Sequence, residues 1–438
     1  MRNFVTACVA SLVLFAPPSS EAAVSEQEVA DLRQQVQALL ARVQQLESRN
    51  SELAAGSAPA APAGIEKLES RVSDLETTSD RQADQFAQAL ARDKSMDWAG
   101  RVKLKGDFRV REEIIQEETK ANRDRQRIRA RLGIDAKVSD TLSGGFQLAT
   151  GSTDDPRSTN ATLTDSNQRK GIQLDLAYLT WKPTADTSIT AGKQKYPWYR
   201  PGGSLFYDGD VNPEGVAISW GGKTGPFVNA WGFVLSEVSS HADANIVGAQ
   251  LGWATDFGLT VAASYHEYGA VQGRALSFAD YPAGNTTYSS NASCDPLVAG
   301  TTKCYLNDYQ ILEVSAQYGF KIGRLPAIVW ADYLENTAVN DFNQGYNVGI
   351  MLGKASDPGS WEVGALYQDV GADAQWGGFI DSDLAGGFTQ SKGVQVKAAY
   401  APVKNTSINL AYFDNTKGYG ASGAHDYQRL QLDFSMKF

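Results

Sequence analysis

A chain of 438 residues with 41 glycines, 18 tyrosines, 17 phenylalanines and 9 tryptophans has room for several domains or for one large β-structure. Its 50 acidic and 40 basic residues give a formal net charge of −10, which argues against a protein built to neutralise nucleic-acid phosphates. Hydrophobic content is 42%, and no stretch beyond the first residues reaches the roughly 18 uninterrupted apolar residues of a spanning helix, so membrane residence has to come from strands.

The chain opens with "MRNFVTACVASLVLFAPPSSEAA", in which Arg2 precedes an apolar centre from Val5 to Phe15, broken by Pro17 and Pro18. This reads as a secretory signal peptide over 1–22, cut near Ala22 or Ala23. From Val29 the apolar residues recur at steps of three and four, through Leu32, Val36, Leu39, Val43 and Leu46 to Leu53. That heptad pattern predicts a coiled coil over 24–53, with a single amphipathic helix as the other reading. "AAGSAPAAPAG" (54–64) is a linker of small residues and proline, and Ile65, Leu68, Val72 and Leu75 start a second helical or coiled segment over 65–92.

After about Trp98 the period becomes two. In the terminal "YQRLQLDFSMKF", Leu430, Leu432, Phe434, Met436 and Phe438 alternate with Arg429, Gln431, Asp433, Ser435 and Lys437. Sixteen such stretches follow one another, from 100–112 and 125–138 to 405–414 and 427–438, with short turns such as "TDFG" alternating with longer connections. The prediction is an all-β membrane barrel of about 16 antiparallel strands over 98–438, preceded by the α-helical coiled-coil segment. A soluble sandwich would need a second sheet against its apolar face, and a solenoid would need a fixed repeat.

In the second stretch Ile128, Ala130, Leu132 and Ile134 take one face, while Arg125, Arg127, Arg129 and Arg131 take the other. An arginine on the lipid side at the bilayer midplane costs about 2–4 kcal/mol, so the apolar face is the lipid face and the arginines point into the lumen. The first stretch repeats the pattern with Val102, Leu104, Phe108 and Val110 outward. Together the two rows predict a basic pore wall of Lys103, Lys105, Arg109, Arg111, Arg125, Arg127, Arg129 and Arg131. Closely spaced guanidinium groups need water or anions, and a wetted channel supplies both.

Cys294 and Cys304, ten positions apart, are expected to form a disulfide in an exported chain, with free thiols as the other reading and a zinc site the weaker one. No nucleophile signature accompanies His241, His266 or His425, and no phosphate-cradling loop or metal cluster stands out. No cofactor, metal or catalytic residue is therefore expected.

"KLKGDFRVREE", "RQRIRARLGI", "LDLAYLTWKP" followed by "ITAGKQKYPWY", and "DVNPEGVAI" resemble the putative porin family of Gram-negative outer membranes, a resemblance covering about 98–438. It implies a β-barrel channel for passive diffusion of small hydrophilic solutes or ions, set in outer-membrane lipid. The arginine wall adds an anion-leaning preference. By analogy with trimeric porins, the third long loop, 195–215, folds inward as a constriction, setting Lys195, Arg200, Asp208, Asp210 and Glu214 near the arginines; a solvated extracellular loop is the other reading. The same analogy favours a homotrimer, with the stalk in the periplasm within reach of peptidoglycan and no nucleic-acid partner. The rival functions are a barrel-anchored tethering or adhesion protein that works through its stalk, and an outer-membrane barrel enzyme.

Overall fold

In a computed structural model, the residues described are 100–438 apart from 238, 240–241, 275–282, 290–293, 295–302 and 421–422, with scattered residues between Ala41 and Gln85. The chain divides into two compact units, residues 1–94 and 95–438. In the first, Ala41, Gln45, Ser48 and the residues described between Asp74 and Gln85 are helical. The expected signal segment, linker and heptad seams fall outside the described residues.

The second unit is a closed antiparallel barrel of sixteen strands: β1 (Val102–Glu117), β2 (Arg123–Lys137), β3 (Leu142–Thr150), β4 (Ile172–Thr184), β5 (Thr187–Lys193), β6 (Glu214–Gly221), β7 (Gly225–Ser236), β8 (Ala244–Ala254), β9 (Leu259–Gly269), β10 (Gln310–Ile322), β11 (Leu325–Asn336), β12 (Gln344–Gly353), β13 (Trp361–Val370), β14 (Ser391–Tyr400), β15 (Thr406–Lys417) and β16 (His425–Lys437). Each pairs with its sequence neighbour, and β1 also pairs with β16, so no edge is left open. A two-residue strand, Ala161–Thr162, continues the sheet beside β2 above the end of the short β3. β1 runs to Glu117, beyond the alternation legible up to residue 112, because Glu113 and Arg125 pair across it on the lumen face.

Period-two alternation decides which way each strand faces. Val110 is 55% exposed and Arg111 beside it 4%, so the apolar set lies on the outer surface and the charged set inside. Trp181, Trp220, Trp253, Trp361, Tyr400 and Phe438 ring the short-turn end of that surface, and Tyr265, Tyr333 and Tyr346 stand towards the long-loop end. Such paired aromatic girdles mark the two lipid–water interfaces of a membrane barrel.

The buried core lies within the barrel. The third long loop, 194–213 between β5 and β6, and the seventh, 371–390 between β13 and β14, fold inward. Tyr196, Trp198, Phe206 and Tyr207 from the third loop, with Trp376, Phe379 and Ile380 from the seventh, pack on Trp231, Phe233, Ile246, Tyr268, Ile311 and Leu334 of β7 to β11. Trp198 sits with its ring centroid 4.6 Å from that of Trp231. Apolar side chains therefore fill the lumen beside β7–β11, while the β16–β1–β2 side carries charge.

Candidate functional site

Besides the exposed Arg123 at the start of β2, seven arginines share the lumen parity of three adjacent strands: Arg429 on β16, Arg109 and Arg111 on β1, and Arg125, Arg127, Arg129 and Arg131 on β2. The register puts Arg111 opposite Arg127 and Arg109 opposite Arg129, pairings of like charge that destabilise a sheet unless acids intervene. They do intervene. Asp107 accepts from Arg129 Nε at 2.8 Å and Arg131 Nε at 2.6 Å. Glu113 accepts from Arg125 at 3.0 and 2.9 Å and also pairs with Arg429. Asp433 takes Arg111 through Nε at 2.6 Å and Nη2 at 2.8 Å, with Arg109 3.7 Å away. Lys105 pairs with Asp135 at 2.6 Å nearer the short turns, and Lys103 is exposed.

Three loops close on this wall. From the second long loop, 151–171, Asn160 Oδ1 accepts from Arg109 Nη2 at 2.5 Å and Ser158 Oγ from Arg127 Nη2 at 3.1 Å. From the third, Asp210 reaches Arg131 at 3.4 Å and accepts from the Thr159 backbone N–H at 3.0 Å. From the seventh, Asp383 lies 3.3 Å from Arg111 and 2.8 Å from Arg429. The seven guanidinium groups thus meet five carboxylates, Asp107, Glu113, Asp433, Asp210 and Asp383, which leaves the wall positive but mostly paired.

The two inward loops are also stitched to each other. The Asp208 N–H donates to Phe379 O at 2.6 Å, the Asp381 N–H to Leu205 O at 3.1 Å, and the Ser382 N–H to Asp208 Oδ2 at 2.8 Å. Burial, Asp381 and Asp210 all push the Asp208 carboxyl well above the usual carboxylate range. Burial and Asp383 push Asp381 up to about 7. Asp383 is partly buried, yet Arg429, Arg111 and Arg109 override the desolvation and hold it far below its ordinary value. Asp210 is likewise held down against burial, by the Thr159 N–H and by Arg129 and Arg131.

The other third-loop residues point elsewhere. Lys195 Nζ donates to Gly209 O at 2.9 Å, and Arg200 donates to Tyr207 O at 3.1 Å while lying over the Tyr196 ring. Glu214 has the outward parity of Val216, Ile218 and Trp220 and pairs with Lys193 at 2.8 Å, so it faces away from the lumen. Cys294 and Cys304 are joined by a disulfide, with Cα atoms 5.4 Å apart. A register shift between β3 and β4 at Gln147 and Leu148 turns Asp175 inward, where it accepts from Gln147 at 2.6 Å and from Asn212 of the third loop at 2.8 Å.

His266 is sealed among Trp198, Trp231 and Tyr207, with Nε2 3.2 Å from Tyr207 Oη and 3.1 Å from Glu313 Oε2. His425 Nε2 lies 3.0 Å from Glu117 Oε1. His241 lies outside the described residues. Among the described residues, no group of three or more histidine, cysteine, aspartate or glutamate side chains could hold a metal ion.

Two cavities follow the basic wall. One of about 430 Å³ opens at its long-loop end, between Arg123 and Arg429. The other, of about 350 Å³, lies towards the short turns and is lined by Lys105, Gln147, Tyr178, Thr180, Gln194 and Lys195 among others.

The sequence profile of the family described as "Putative porin" matches residues 114–317 and 312–438. No curated protein matches the sequence. Among solved structures, OprB of Pseudomonas putida at high pH aligns over 80% of this chain and 96% of its own, at 10% identity and a TM-score of 0.53. The Rhodopseudomonas blastica porin, as a triple mutant, covers 77% and 100% at 11% identity and a TM-score of 0.43. The trimer form of OmpT, an outer-membrane protein of Vibrio cholerae, covers 77% and 99% at 14% identity and a TM-score of 0.42.

Proposed function

Because the chain belongs to the putative porin family, we propose that its outer-membrane barrel is a water-filled channel passing small hydrophilic solutes and ions down their gradients, with a lean towards anions. The observation that carries this reading is the row of seven lumen-facing arginines on β16, β1 and β2, set against five carboxylates. Fixed charge lining a narrow path raises the local concentration of the opposite ion and sets selectivity. Pairing keeps the excess small, so the expected preference is moderate.

The third and seventh loops narrow the lumen from the β7–β11 side and confine solutes to the charged side. A channel is favoured over an enzyme because His266 is enclosed by aromatic rings and shared between Tyr207 and Glu313, where no substrate reaches it. The heptad pattern of 24–53 supports self-association through a periplasmic stalk, and the analogy with trimeric porins favours three copies.

Reversal potentials in a planar bilayer under a potassium chloride gradient test the reading. An anion-side potential that moves towards zero in the Arg127→Gln, Arg129→Gln double variant is expected. A clear cation preference in the unmodified protein would overturn it.

A further inference from the structure

We propose that the long-loop mouth of the barrel holds a binding site for small oxyanions, carboxylate or phosphoryl, that carry two or more negative charges. The proposal rests on the anion-leaning channel reading and adds a ligand class and a place. The cavity of about 430 Å³ is bounded by the upper ends of β1, β2, β15 and β16 and by the second and seventh loops. That volume falls within the range of small-molecule sites, roughly 300–1,000 Å³.

Seven cations line the cavity, Lys120, Arg123, Arg125, Arg127, Arg157, Lys417 and Arg429, against two acids, Glu117 and Asp155. Glu113 and Asp383 stand behind the lining, and with both counted the cations still exceed the acids by three. A surplus of that size in a partly enclosed space needs a counter-ion.

The donors have capacity to spare. Arg123 is exposed and makes no ion pair among the described residues. Arg125 spends Nε and Nη2 on Glu113, so that pair leaves Nη1 for another acceptor. Arg127 spends Nη2 on Ser158 Oγ and the Asn160 carbonyl, and its Nη1 stands 3.7 Å from Glu113, too far for a hydrogen bond. Lys417 shares Glu117 with Lys120 and His425 and lies over the Phe388 and Tyr427 rings, which hold its ammonium in place. Guanidinium groups bind carboxylate and phosphoryl oxygens in pairs, whereas chloride offers no such geometry.

The cavity at the other end of the wall has only Lys105 and Lys195 as cations, among hydroxyl and amide groups. An oxyanion is therefore held more tightly at the mouth than at the short-turn end, and its net passage follows its concentration gradient.

The test is isothermal titration calorimetry of the full-length protein in detergent at low salt, with inorganic phosphate, succinate and chloride as probes. Saturable heat is expected with phosphate, succinate or both, but not with chloride at equal concentration. Phosphate alone assigns a phosphoryl ligand, succinate alone a dicarboxylate. Arg123→Gln and Lys417→Gln should each weaken binding by about tenfold, the loss of one charge-assisted contact, while Lys354→Gln in a short turn leaves it unchanged. No saturable heat with either oxyanion, or equal affinity in all three variants, would overturn the site. Anion-selective current without binding sinks this site alone, and binding without anion-selective current sinks the channel reading alone.

Discussion

Glu113 is the residue on which the charged wall turns. It is fully buried, holds Arg125 and Arg429, and lies 3.7 Å from Arg127. Glu113→Gln leaves three guanidinium groups without their shared counter-charge, and removing one partner of a buried ion pair costs about 3–5 kcal/mol. The wetted lumen puts the expected loss at the lower end of that range, to be measured by denaturant unfolding of the barrel in lipid. Asp381 works in the opposite sense. Its folded-state pKa, raised to about 7 from an ordinary 3.8, means that its ionised form strains the packing of the third and seventh loops. Stability from this group is full below about pH 4 and declines as pH rises through 7. Asp381→Asn keeps an oxygen to accept from the Asp383 N–H, so it should hold hydrogen-exchange protection of 371–390 steady from pH 5 to about pH 8, where the unmodified protein loses some. Unchanged pH dependence in the variant would remove Asp381 as the cause.

Among the elements, the third loop is anchored by aromatic rings. Trp198 is 3% exposed and touches Tyr196, Tyr207, Trp231, Phe233 and His266. Trp198→Ala should cost about 3–5 kcal/mol and loosen the loop, read as larger and noisier single-channel current. Current indistinguishable from the unmodified protein would mean that the loop does not narrow the path. On the opposite surface of the strands, Val110→Arg should cost about 2–4 kcal/mol when the barrel folds into vesicles, because Val110 faces lipid while Arg111 faces the lumen.

For the whole molecule, closure between β1 and β16 creates the site. It brings Asp433 and Arg429, more than 300 positions along the chain, onto Arg111 and Glu113. The stalk is tested at the same scale. If 24–53 assembles three copies, removing 24–92 should convert a trimeric native mass to a monomeric one while single-channel current persists; a trimer surviving the deletion would leave the stalk to tethering.

Alternation by itself determined that strands cross the membrane, how many there are and which face meets lipid, because the bilayer penalises each misplaced charge locally. It also set Arg429 and Asp433 on the same parity as the arginines of β1 and β2, a signal open to reading. Which carboxylates neutralise those arginines was a different matter. Asp383 has no local pattern pointing to Arg111 and Arg429, and Glu214, so near Asp210 in sequence, faces outward beside Lys193. The inward fold of 371–390 was equally hidden, since its burial depends on an apolar wall assembled from five strands. Tertiary structure decided these points because loop placement follows from the shape and charge of the closed lumen, which no segment of the chain contains alone.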